Sequence, residues 1–264
     1  MKYGCIGEHL SHSFSKEIHN LLCDYEYEIK EIPKDELDLF MTERDFCAIN
    51  VTIPYKEAVI KHLYYMSDEA KMIGAVNTIV NKDGKLYGYN TDFLGMKSLI
   101  LKNDMDFSGK KVLILGTGGT SKTAFSVSGN LGAKEIVTVS RKKSDTSIDY
   151  EEMYQSHTDA DFIINTTPVG MYPNIYASPV ELSHFKSLSG VIDAIYNPLS
   201  SQLVSQAKKM GIKADGGLYM LVKQAAYAAE MFMDTEISEE KSDEVFERIF
   251  SDKQKILLIG MPSS

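Results

Sequence analysis

Apolar positions along this chain follow two rhythms. Four consecutive apolar residues, Val112-Leu113-Ile114-Leu115, run straight into Gly116-Thr117-Gly118-Gly119, and the small residues Thr120, Ser121, Thr123 and Ala124 follow. A short unbroken apolar run that ends in glycines and leads into a helix start predicts a strand buried on both faces. Strands of the same kind are predicted at 135–139, 162–165 and 191–194, with helices between them. Upstream, strand-like stretches at 3–7, 25–32 and 46–51 alternate with helix-like stretches near 15–22, 34–41 and 55–64. Stretches 76–81 and 85–89 flank Lys82-Asp83-Gly84, which reads as a tight hairpin turn. Alternating β and α closed by a hairpin predicts a mostly parallel sheet with an antiparallel edge.

These rhythms divide the chain. A polar segment from Asn103 to Lys110 separates them, with a bridging helix near 93–101. The expectation is an α/β protein of two domains. The first covers 1–102 and is completed by C-terminal helices at about 236–250. The second covers 103–235 and is a doubly wound, Rossmann-like sheet. A long Ala-, Met- and Leu-rich stretch at 216–235 reads as a buried helix, and 238–250 as a charged amphipathic one. Residues 251–264 form a tail.

The glycine turn carries the first chemical signal. Gly116, Gly118 and Gly119 allow a tight turn and close approach of a pyrophosphate, and the free N–H groups of the helix behind them supply donors. A dinucleotide fold that prefers NAD places an acid about 20 residues beyond the glycines, at the end of the second strand. Here Ser140-Arg141-Lys142-Lys143 stands there instead. A hydroxyl and cations suit a 2′-phosphate, so Ser140, Arg141 and Lys142 predict NADP.

Composition narrows the partners. The 264 residues are 44% hydrophobic and 25% charged, with a net charge of −9, which argues against nucleic acid or an anionic membrane as partner. An anionic ligand therefore needs a local pocket of donors. Cys5, Cys23 and Cys47 lack a C-x-x-C spacing and read as reduced thiols of a cytoplasmic chain. No His/Cys/Asp cluster has metal-ligand spacing, and no targeting or membrane segment is expected.

Five short segments lie where strands hand over to helices or loops. Ser11-His12-Ser13-Phe14-Ser15 offers hydroxyls that either cap a helix or bind a carboxylate. Asn50-Val51-Thr52-Ile53-Pro54-Tyr55-Lys56 places a cation beyond a strand end. Gly74-Ala75-Val76-Asn77-Thr78 offers an amide, and Asn90-Thr91-Asp92 a carboxylate at a helix start. Asn165-Thr166-Thr167-Pro168-Val169-Gly170-Met171 follows a strand of the second sheet.

In this order and spacing, together with Asp193-x-x-Tyr196-x-Pro198 and the stretch from Gly216 to Gln224, these segments resemble shikimate dehydrogenase from about Lys2 to Arg248. The resemblance implies reversible reduction of 3-dehydroshikimate to shikimate by NADPH, in the pathway to aromatic amino acids. It implies that Ser13 and Ser15 bind the substrate carboxylate, that Thr52, Asn77, Tyr196 and Gln224 complete the substrate site, and that Lys56 and Asp92 are the catalytic pair. It implies a cofactor site of Gly116, Gly118, Gly119, Thr120, Ser140, Arg141, Lys142, Thr166, Met171, Gly217 and Met220. An ammonium suits charge developing on a ketone oxygen, and a neighbouring carboxylate orients it. His12 is read as a local hydrogen-bonding residue.

The chain departs from the family pattern in three places. Lys16 stands where Pro is common, Ser140-Arg141-Lys142 where Asn-Arg-Thr is common, and Lys122 where Arg is common. Two other readings compete: a broader quinate/shikimate specificity, and a non-catalytic dinucleotide-binding regulator. The tail Lys255-Ile256-Leu257-Leu258-Ile259-Gly260 is expected to be a strand entering a P-loop, and it resembles the opening of a fused shikimate kinase.

Overall fold

A computed structural model of the chain describes residues 1–10 and 14–259, with side chains as far as residue 254. Two compact units emerge: Met1–Leu94 with Val222–Glu247, and Gly95–Leu221 with the chain from Arg248 onward. The divisions between the units fall inside three helices.

The first unit contains β1 (Tyr3–Gly7), α1 (Phe14–Leu22), β2 (Tyr27–Glu31), α2 (Leu37–Glu43) and β3 (Ala48–Val51). A single 3-10 segment (Ala58–His62), β4 (Tyr65–Met66), α3 (Asp68–Ile73), β5 (Thr78–Lys82) and β6 (Lys85–Tyr89) follow, and α4 (Thr91–Lys102) begins here. The sheet order is β2-β1-β3-β5-β6-β4. Period-2 alternation decides which side chains meet. Ile6, Ile49 and Ile79 join Val59, Val76 and Leu86 on one face. Cys5, Ala48 and Val80 face Tyr27 and the helix residues Ala228 and Phe232 on the other.

Three expectations change here. The strand that runs against its neighbours is β5, antiparallel to both β3 and β6. It lies inside the sheet between these two strands, and β4, paired in parallel with β6, takes the edge. The helix expected over 55–64 shrinks to Ala58–His62, since Tyr55 N–H is turned back onto Thr52 O at 2.9 Å. The short helix α3 escapes the apolar pattern altogether. Its ends are set locally, by the Ser67 side chain accepting from Ala70 N and by Gly74 in the left-handed region at φ 72°.

The second unit holds β7 (Lys111–Leu115), α5 (Gly119–Asn130), β8 (Glu135–Ser140), β9 (Ile148–Asp149), α6 (Tyr150–Ser156), β10 (Phe162–Asn165), β11 (Gly190–Asp193), α7 (Gln202–Lys209) and β12 (Lys213–Asp215). The order is β12-β11-β10-β7-β8-β9, and every pairing is parallel. Numbered from β7, this is 3-2-1-4-5-6, a Rossmann-like sheet whose order reverses between β7 and β10. Val112 to Leu115 are fully buried, which explains their unbroken apolar run. The two-residue β9 and three-residue β12 are too short to show a period of their own.

Two helices close the described chain: α8 (Leu218–Met233) and α9 (Glu239–Ile259). Ser238 Oγ accepts from Lys241 N at 3.2 Å and starts α9. The backbone of residues 255–259 continues this helix, so the strand expected there is not formed. A helix satisfies its backbone hydrogen bonds within one segment, whereas a strand needs a partner. Residues 260–264, where the P-loop glycine was expected, lie outside the described residues. No helix among the described residues is long and apolar enough to cross a membrane.

One buried aromatic stack braces the first sheet. The His19 ring lies on Tyr27, with centroids 4.0 Å apart and planes 10° apart, and its Nδ1 meets the Tyr25 hydroxyl at 2.6 Å. Burial lowers the imidazole pKa from 6.5 to about 3, so the fold holds the ring neutral. A depressed folded-state pKa gives stability that is present above pH 6.5 and is lost as pH falls toward 3. His19→Phe keeps the stack and removes the titration. Urea unfolding across pH is expected to show wild type losing about 2–3 kcal/mol more than the variant between pH 7 and about pH 4.5. Parallel slopes for the two proteins would refute the assignment.

Candidate active site

Beyond β3 the chain turns through Thr52 and the buried Tyr55, whose hydroxyl donates to Ile32 O at 2.5 Å. Lys56 follows, and its carbonyl accepts from Val76 N at 2.8 Å. Asn90 starts α4: its Oδ1 accepts from Phe93 N at 3.3 Å and its Nδ2 donates to Ala75 O at 2.9 Å. Asp92 therefore sits in the first turn of α4, where the helix dipole favours a carboxylate. Lys56 Nζ donates to Asp92 Oδ2 at 2.6 Å, across 36 residues of sequence. The two side chains keep 30% and 21% of their accessible surface, so a ligand can reach the pair.

Asn77 is 3% exposed and works as a clamp. Its Oδ1 accepts from Thr91 N at 2.7 Å, and its Nδ2 donates to Thr91 Oγ1 at 3.1 Å. Thr91 Oγ1 also lies 3.5 Å from Gln224 Oε1 on α8 and 3.2 Å from Thr78 Oγ1. Behind them, Tyr27 OH donates to Asn50 Oδ1 at 2.7 Å, and Asn50 Nδ2 donates to Thr78 Oγ1 at 3.1 Å. Thr52 is half-buried, with its N–H on Ile6 O at 2.9 Å. Ser15 lies in the first turn of α1. Ser13 and His12 lie outside the described residues. The first unit thus has the Lys56–Asp92 pair and, starting from Thr91 next to Asp92 in the chain, a hydrogen-bonded set that includes Asn77 and Gln224. Asn50, Thr78 and Thr91 belong to it too, although only their presence beside the expected residues in the motifs could have suggested this.

In the second unit, Gly116 takes a φ of 111°, and a Cβ there would stand 2.7 Å from Thr166 Oγ1. Thr166 Oγ1 itself donates to Leu115 O at 2.6 Å. Gly118 precedes α5 and Gly119 opens it, and a Cβ on either would meet open space. A cavity of about 330 Å³ lies against Gly116, Gly118, Tyr150 and the loop from Thr166 to Val169. A second, of about 630 Å³, is lined by Ser140, Arg141, Lys142, Ser144, Thr146 and Ser147, and both touch Thr117. Ser147 Oγ lies 3.0 Å from Ser140 Oγ and 2.7 Å from Ser144 Oγ, so three hydroxyls line the basic end together. The third cation of the turn, Lys143, is held 2.6 Å from Glu152. Ser144, Thr146 and Ser147 had no motif to announce them.

The remaining expected positions lie outside these two linings. Thr120 is in the first turn of α5. Met171 is exposed, and Met220 is buried in α8. Gly217 is a packing glycine, since a Cβ there would stand 2.2 Å from Ala194 O. Tyr196 is half-buried in the turn after β11, and burial raises its phenol pKa. The buried Asp193 at the end of β11 is pushed up to about 6 by desolvation, opposed by three hydrogen bonds.

Comparison with known proteins bears on both halves. Residues 5–79 match the family model described as the shikimate dehydrogenase substrate binding domain. A shikimate dehydrogenase (NADP(+)) of Clostridium beijerinckii is 38% identical over 250 residues, covering 89% of this chain and 93% of the relative. The chain belongs to the shikimate dehydrogenase family. A chorismate mutase/shikimate 5-dehydrogenase fusion protein from Clostridium acetobutylicum superimposes with a TM-score of 0.88 at 35% identity, over 96% of this chain and 98% of that one. A shikimate 5-dehydrogenase from Thermus thermophilus, solved with NADP(H) and shikimate, gives a TM-score of 0.82 at 27% identity, over 94% and 99%. Members of the shikimate dehydrogenase family thus align with both units of this chain, not with the substrate domain alone.

The glycines separate turn geometry from open surface. Gly116→Ala is expected to lower stability by about 1–3 kcal/mol through its left-handed backbone and its contact with Thr166. Gly118→Ala is expected to leave the melting temperature unchanged within error. Thermal melts of both proteins check this; equal losses would refute the distinction.

Proposed function

We propose that this chain catalyses the reversible, NADPH-dependent reduction of 3-dehydroshikimate to shikimate, the first unit taking the substrate and the second the dinucleotide. The observation that carries the reading is the accessible Lys56–Asp92 pair at 2.6 Å, in the unit matched by the substrate-binding family model. The residues present also fit NADP. The space beside Gly118 and Gly119 suits a pyrophosphate, and the basic, hydroxyl-lined end at Arg141, Lys142, Ser140 and Ser147 suits a 2′-phosphate. No acid stands among residues 140–143 to pair with an unphosphorylated ribose.

NADPH, when bound, supplies the hydride to the ketone carbon. Lys56 stabilises the charge that develops on the ketone oxygen and donates the proton that makes it a hydroxyl. Asp92 holds the ammonium by accepting its hydrogen bond and, in the reverse direction, helps Lys56 take the proton back. Ser13 and Ser15 bind the carboxylate, and Thr52, Asn77 and Gln224 read the ring hydroxyls. Asn77 has little freedom for this, because its oxygen is committed to α4; its second amide hydrogen is the group it can offer. The free cysteines and the absence of a membrane-spanning helix among the described residues support a cytoplasmic enzyme. A fused kinase stays a reading of the tail's resemblance, and the parent reading frame decides it.

Absorbance at the NADPH band tests the function. Shikimate with NADP is expected to give turnover, with NAD and quinate clearly slower in kcat/KM. Comparable rates with quinate would favour the broader specificity, and NADP binding without any turnover would favour a regulator. Lys56→Ala is expected to reduce kcat by about 10²–10⁴ while NADPH still binds. Arg141→Ala is expected to raise KM for NADPH about tenfold or more and to leave KM for NADH nearly unchanged.

A further inference from the structure

Asp193 is fully buried at the carboxyl end of β11, opposite Asn165 at the end of β10. It lines neither cavity, yet it receives donors from three directions. Asn165 Nδ2 donates to its Oδ1 at 2.9 Å, Ile195 N donates to the same oxygen at 3.1 Å, and Ser201 Oγ donates to its Oδ2 at 2.5 Å. Taking the Asn165 amide nitrogen settles which way that amide faces. Asn165 Oδ1 is then free to accept from Thr167 N at 3.0 Å and Thr167 Oγ1 at 2.7 Å, and Thr167 Oγ1 accepts from Val169 N at 3.3 Å. A string of bonds thus runs from Ser201 through Asp193 and Asn165 into the loop that walls the smaller cavity. A second branch leaves through Ile195, whose carbonyl accepts from Gly217 N at 2.8 Å.

We propose that Asp193 is a positioning residue for the dinucleotide: through Asn165 it holds the wall at 166–169 in the shape that grips the cofactor. This rests on the NADP reading of the second unit. The role is one of geometry and not of charge. An asparagine at 193 can keep its oxygen toward Asn165 and Ile195 and turn its amide nitrogen to Ser201 Oγ, which can accept. An alanine leaves the Asn165 amide nitrogen only its long 3.5 Å bond to Thr167 O, and Thr167 N–H and Oγ1 lose their partner whenever that amide flips.

The test is a fluorescence titration with NADPH alone, with steady-state kinetics beside it. Asp193→Ala is expected to weaken NADPH binding about tenfold and leave KM for shikimate unchanged, and Asp193→Asn to restore binding to within about twofold of wild type. Asn165→Ala cuts the same string from its other side and is expected to weaken NADPH binding similarly; it decides the matter if Asp193→Ala does not fold. Unchanged NADPH binding in a folded Ala variant, or equal losses in Ala and Asn, overturns the proposal. Wild-type protein that fails to bind NADPH would instead overturn the cofactor reading itself.

Discussion

A three-residue crosspiece, Ala75-Val76-Asn77, holds the Lys56–Asp92 ion pair together. Val76 N–H fixes the backbone of Lys56, Ala75 O accepts from the Asn90 side chain, and Asn77 Oδ1 caps Thr91 N–H. Lys56 belongs to a loop after β3 and Asp92 to the start of α4. Neither segment bonds the other through its backbone; each bonds the crosspiece. A flexible lysine can be held 2.6 Å from a carboxylate only at a cost in side-chain entropy, which an exposed pair barely repays. With both backbones fixed in advance, only the side-chain rotamers are left to be ordered when the pair forms.

The same device appears in each sheet. Asn50 stands one residue before the end of the central strand β3, and Asn165 ends the central strand β10. Each is buried, and each has its amide oriented by a neighbour that takes or gives one hydrogen bond: the Tyr27 hydroxyl for Asn50, the Asp193 carboxylate for Asn165. A buried amide has two nearly isosteric orientations, and only bonded partners distinguish them. Parallel sheets bring their strand ends, and the loops that bind ligands, to one edge. A polar group must be buried there if those loops are to be held by side chains as well as by backbone.

Much of this was legible in the residues, and the limits have physical causes. The unbroken apolar run at Val112-Leu113-Ile114-Leu115 and the glycines behind it announce a parallel strand and its turn, because burial on both faces leaves no polar positions. The Lys56–Asp92 pair was legible only through resemblance, since no spacing rule joins residues brought together by tertiary packing. The order of β4, β5 and β6 was not legible: a two-residue strand carries no period, yet it takes the sheet edge and moves the hairpin inward. Lys255-Ile256-Leu257-Leu258-Ile259 misled because a short apolar run reads equally as strand or helix until a pairing partner decides. Ser144 and Ser147 were missed because surface serines are common and only the fold brings them to Ser140.

The glycine turn divides its labour residue by residue. Gly116 is constrained by the protein around it, while Gly118 and Gly119 meet nothing but space. A library selected only for folded, soluble protein would therefore purge variation at 116 and pass it freely at 118 and 119. Sequences that drift at the latter two positions would look healthy by every measure of stability. Any loss would surface only when the loop was asked to accept a ligand.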